Sequence, residues 1–68
     1  MTKEFKKRDR VLYVPLHAHG NREHRDCERG VVVRRATTEE NAYFVLYDGG
    51  RQSKLTYGRD LVLLEKGE

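Results

Sequence analysis

Four side chains with metal-binding chemistry crowd into one stretch of the chain: His17, His19, His24 and Cys27. They are all of the histidines and the single cysteine. Zinc takes nitrogen and sulfur ligands tetrahedrally, four in a closed site or three plus water in an open one. His17 and His19, two apart, point to the same side of an extended chain. His24 and Cys27 are separated by two residues, a chelating spacing. The pattern H-x-H-x4-H-x2-C could therefore wrap one zinc ion and stabilise a small domain. Against it, most structural zinc sites use more than one cysteine, and no standard finger spacing is present. The competing expectation is that His17 and His24 hydrogen-bond the loop backbone while Cys27 packs as a small hydrophobe. On that reading no cofactor is expected.

A cysteine–histidine nucleophile pair would also need a positioned base and an oxyanion site. Nothing in the chain supplies a substrate pocket for one, so neither an enzyme nor a small-molecule substrate is expected. Asp26 and Glu28 flank Cys27 and read as counter-charges to Arg25 and Arg29.

A second set is aromatic: Tyr13, Tyr43, Phe44, Tyr47 and Tyr57. Convergent rings form cages for cations or stack nucleic-acid bases; the alternative is that the core consumes most of them. A third set is basic. Lys3, Lys6, Lys7, Arg8 and Arg10 face only Glu4 and Asp9 nearby, and such an arm can engage phosphate by counterion release. Arg34 and Arg35, with Arg51 and Lys54, could extend a basic stripe. Otherwise they form a solvated face paired with Glu39 or Glu40.

These residues must be held by short strands. Val11-Leu12-Tyr13-Val14 stops at Pro15, Val31-Val32-Val33 follows Gly30, and Tyr43 to Tyr47 closes on Asp48-Gly49-Gly50. A weaker run, Ser53 to Tyr57, ends at Gly58, and Leu61-Val62-Leu63-Leu64 is the fifth. Each has strand composition and a turn signal beside it. No helical stripe appears beyond a turn of helix near Arg59-Asp60. Alternation puts Tyr43, Val45 and Tyr47 on one face and Phe44 and Leu46 on the other. Leu16 to Arg29 is a long polar loop without strand pattern, and loops of that length are often functional. Sixty-eight residues make one small domain. Its charged fraction of 37% is well above the usual ~25%, so the core must be small. The expected architecture is all-β, a small five-stranded barrel with a long loop after the first strand. Residues 1–8 would be a flexible basic arm, 9–65 the barrel and 66–68 a tail.

The order of elements resembles an SH3-like barrel of the Tudor or KOW sort. The carrying residues are Asp9-Arg10-Val11, Gly30-Val31-Val32, Val45-Leu46-Tyr47-Asp48-Gly49 and Asp60-Leu61. A narrower resemblance is to small uncharacterised bacteriophage and prophage proteins. It rests on Val11 to Pro15, His17-Ala18, His24, Asp26-Cys27-Glu28 and Gly30-Val31-Val32. Arg25 departs from that pattern, standing where a proline is expected. The first resemblance implies a binding platform for peptides, modified side chains, nucleic acid or protein, and the second implies a phage origin. Fold alone does not choose among these activities. Together they suggest a non-enzymatic binding module that docks onto a host macromolecule, most naturally a protein. Its contact surface would draw on Tyr13, Arg25, Arg29, Arg34, Arg35, Tyr43, Phe44, Tyr47 and Tyr57. The alternatives are weak nucleic-acid binding through Lys3 to Arg10 and the strand arginines, or a zinc-stabilised structural domain. No apolar run approaches the roughly 20 residues of a membrane span, and no signal-peptide pattern opens the chain. With a lone thiol, this suggests the cytoplasm of a bacterial host cell and no membrane partner.

Overall fold

The computed structural model describes residues 4–67. Its strands are β1 (Arg10–Tyr13), β2 (Glu28–Arg35), β3 (Ala42–Tyr47), β4 (Lys54–Tyr57) and β5 (Leu61–Glu65). Short 3-10 turns at Leu16–Ala18 and Gly58–Asp60 follow β1 and β4. The described residues include no α-helix. Neighbouring strands are all antiparallel, in the order β4-β3-β2-β1-β5. The first four strands thus form a meander, and the fifth returns to pair with the first. The edges β4 and β5 are joined by the Gly58–Asp60 turn. That turn is tied down at both ends: the Gly58 amide donates to the Asn41 carbonyl at 2.6 Å, and the Asp60 carbonyl accepts from the Val14 amide at 2.8 Å. The architecture is the expected all-β one, five antiparallel strands in one curved sheet that make a small barrel-like fold, with the long loop after β1.

Side-chain alternation decides the core. Tyr43, Val45 and Tyr47 of β3 turn inward to meet Val11, Val32 and Leu61, with Tyr13 packed against them. Phe44 is half-buried and Leu46 exposed on the opposite face. Full burial of one such apolar side chain contributes about 1.5–3 kcal/mol. The β2–β3 approach depends on Gly30, where an added Cβ would sit 2.7 Å from Val45 Cγ1 and 2.8 Å from the Leu46 carbonyl oxygen. Pairing between β2 and β3 slips between Val32 and Arg34. A bulge of this kind bends the strand and increases its twist, which helps curl the small sheet. The Asp48-Gly49-Gly50 signal is a tight turn: Gly49 has φ +80° and the Gly50 amide donates to the Tyr47 carbonyl at 2.9 Å.

β2 starts three residues before the expected Val31. Glu28 and Arg29 pair with Tyr13 and Leu12 of β1, although neither polar residue carries a strand signature. The N-terminal segment also departs from the expected flexible arm. Phe5 is 7% exposed and belongs to the core cluster. Its ring meets Tyr43 edge-on, with centroids 5.4 Å apart, and its amide donates to the Tyr43 hydroxyl at 3.2 Å. The Arg8 amide donates to the Val32 carbonyl and the Val32 amide to the Asp9 carbonyl, at 2.8 and 2.9 Å. Buried Asp9 holds the two ends of the described chain together, its carboxylate accepting from the Lys6 amide at 2.8 Å and the Gly67 amide at 3.0 Å. The ordered unit therefore extends beyond 9–65 on both sides. Lys3 lies outside the described residues. No helix among those described is long and apolar enough to cross a membrane.

Candidate functional site

Tyr13 ends β1, and its register partners are Glu28 on β2 and Leu61 on β5. That register brings the start of β2 and the Gly58–Asp60 turn to one end of the barrel. There Tyr13, Tyr47 and Tyr57 line a cleft of about 300 Å³ together with Glu28, Asp60, Lys54, Leu55 and Thr56. Tyr13 and Tyr47 meet edge-to-face, with centroids 6.2 Å apart. The Tyr47 hydroxyl shares a buried 2.6 Å hydrogen bond with Thr56 Oγ1. Tyr57 is exposed, donates its hydroxyl to the Glu39 carboxylate, and has the Arg59 guanidinium 5.4 Å from its ring centroid.

Of the charged residues that line the cleft, Glu28 and Asp60 are acidic and Lys54 is basic. Its local balance is acidic in a chain of net charge +3. The Tyr47 phenol senses this field. Burial raises its pKa from the ordinary 10.0, the Thr56 hydrogen bond opposes the rise, and the negative charge of Glu28 and Asp60 adds to it. The Tyr57 phenol is also raised, first by its hydrogen bond to Glu39 and then by that carboxylate's charge.

The other candidate binding residues lie elsewhere. Tyr43 is fully buried. Arg34 pairs with Phe44 across β2 and β3, its guanidinium 4.1 Å from the ring centroid. Arg29 faces a shallow depression with Arg10 and Asp48, and Arg35 one with Glu39 and Glu40. Arg25 is exposed on the long loop. Lys6, Lys7, Arg8 and Arg10 are exposed on an anchored segment. Sequence reasoning therefore found three rings of the cleft and missed its two carboxylates. The signal available was register: pairing Tyr13 with Glu28 and Leu61 places Glu28 beside the ring and Asp60 one residue from it.

The loop after β1 is a succession of tight turns. Amides of Ala18, His19, Asn21, His24 and Cys27 each donate to the carbonyl three residues back, at 2.9–3.1 Å. Folding the chain this way gathers His17, His24 and Asp26 and leaves the other two predicted ligands out. His17 Nε2 lies 2.7 Å from Asp26 Oδ2. His24 Nδ1 lies 3.9 Å from the same oxygen and accepts the Asp26 amide at 3.0 Å. The two imidazoles meet edge-on at 5.3 Å. His19 has a left-handed backbone, φ 51°, and lines a separate depression with Leu16, Arg22 and Arg59. Cys27 donates its thiol to the Asn21 carbonyl at 3.3 Å. Asp26, read as a counter-charge to arginine, instead bonds a histidine.

Compared with known protein families, with curated proteins and with solved structures, the chain shows no match.

Proposed function

We propose that this protein is a non-enzymatic binding module that docks onto another protein and takes a cationic side chain of that partner into the cleft. The carrying observation is the convergence of three tyrosines with Glu28 and Asp60 on one small, locally acidic cleft. A cation over an aromatic face gains about 0.5–1 kcal/mol when exposed and more when desolvated. A carboxylate accepting from an arginine or lysine adds a charge-assisted hydrogen bond. The volume is at the low end of ligand pockets, which run from about 300 Å³, so it suits one protruding side chain. Leu55 and Tyr57, both about two-fifths exposed, supply apolar contact at the rim, where a protein partner would cover them. On the phage resemblance, the partner is a protein of the bacterial host cell.

The test is recovery of partners from bacterial lysate by tagged protein, with and without nuclease, beside Tyr57→Ala and Asp60→Asn. The expected result is a discrete protein retained under nuclease treatment and lost with both variants. Recovery that disappears with nuclease would replace this reading with nucleic-acid binding by Lys6, Lys7, Arg8 and Arg10, whose affinity would fall steeply with salt.

A further inference from the structure

We propose that His17, His24 and Asp26 form a binding site for a divalent transition-metal ion of the zinc class. One donor atom from each lies within 4.8 Å of the others. Two imidazoles and one carboxylate are a zinc donor set, and three protein ligands leave a position open for water. The same two-histidine, one-carboxylate set also serves other divalent ions of the first transition row.

The loop prepares the ligands. Three of its turns, closing at Asn21, His24 and Cys27, carry the backbone from His17 round to Asp26. His24 Nδ1 accepts the Asp26 amide, so its lone pair is turned into the loop beside the Asp26 carboxylate, and a lone pair is what a metal takes from an imidazole. His17 Nε2 donates to Asp26 Oδ2 at 2.7 Å, across the place where an ion would sit. Metal ligation needs Zn–N and Zn–O distances of about 2.0–2.2 Å. Loading the site therefore releases the His17 Nε2 proton to solvent, moves the two groups slightly apart and exchanges the His24–amide hydrogen bond for a metal–nitrogen bond, the Asp26 amide turning to water. His17 and Asp26 are both exposed, so side-chain rotation suffices. The ion would fasten the start of the loop to its end, just before β2. Cys27 takes no part, since its thiol is engaged with the Asn21 carbonyl. None of the three ligands lines the tyrosine cleft, so this site stands independently of the binding function.

The test is titration of the whole protein with Co²⁺ followed by visible absorption, with Zn²⁺ competition and melting curves in parallel. The expected result is stoichiometric binding with nitrogen and oxygen donors and no thiolate-to-cobalt charge-transfer band. Zn²⁺ should displace the cobalt and raise the melting temperature by a roughly constant step for each tenfold increase in free metal above the dissociation constant. Affinity should fall at least about tenfold, the scale of a well-placed contributor to a metal site, in His17→Ala and in Asp26→Asn. It should stay within about twofold in His19→Ala and Cys27→Ser. Amide spectra would establish that each variant is folded. A charge-transfer band lost in Cys27→Ser would overturn this ligand set in favour of a cysteine site. Absence of any saturable cobalt signal in the folded wild type would overturn the proposal altogether.

Discussion

Tyr47 is where core and cleft meet. Its ring is in the buried cluster, while its hydroxyl reaches Thr56 and the field of Glu28 and Asp60. Its phenol is raised above the ordinary 10.0, chiefly by burial, and the sign of the consequence is fixed. Above pH 10.0 the unfolded chain releases this proton while the folded one keeps it, so the folded state binds more protons. Stability is then lost as pH rises, whereas below that point the contribution is complete. Chemical denaturation from neutral pH to about pH 11 should show a steeper alkaline loss in the wild type than in Tyr47→Phe. Equal slopes would mean that the phenol is not protected. At this scale the sequence was partly readable. Strict alternation along β3 told which rings go inward, because a strand offers only two faces. It could not tell that Asp26 rather than Cys27 joins His17, since nine positions of turns separate that pair and only the folded path brings them together.

The element most changed from expectation is the segment ahead of β1. Four basic residues dominate it, and one phenylalanine among charges has no periodicity to reveal a buried face. Phe5 nevertheless closes the core against Tyr43, and Asp9 secures the turn that places it. Arg8, at the third position of that turn, adopts φ +78°, a backbone state that a side chain favours only when its surroundings hold it. Removing a buried phenylalanine side chain typically costs about 3–5 kcal/mol. Phe5→Ala should therefore lower the urea midpoint sharply, and Lys7→Ala, at an exposed site, should leave it within about 0.5 kcal/mol of the wild type. An unchanged midpoint in Phe5→Ala would return the segment to the status of a loose arm. The same contrast explains β2. Its apolar centre was plain, but Glu28 and Arg29 were legible only as loop, because their strand state comes from pairing with β1 rather than from their own propensity.

For the molecule as a whole, the class of fold was the most legible feature. Five short β-rich runs, punctuated by glycines and one proline, leave little choice but a small, highly curved sheet. The candidate site was less legible, because it is made where separate strands end. Tyr13, Glu28, Tyr47 and the Tyr57–Asp60 corner come from four places in the chain and meet only through register. On the proposed function, a basic protein with an acidic cleft would favour cationic partners at one spot and discourage them elsewhere. The most direct test of this account is amide chemical-shift mapping with a short arginine-containing peptide and its citrulline counterpart, which keeps the shape and removes the charge. Saturable shifts at Tyr13, Glu28, Tyr47, Tyr57 and Asp60 with arginine, and far weaker ones with citrulline, are the predicted result. Equal responses to both peptides, or no shifts at the cleft, would contradict it.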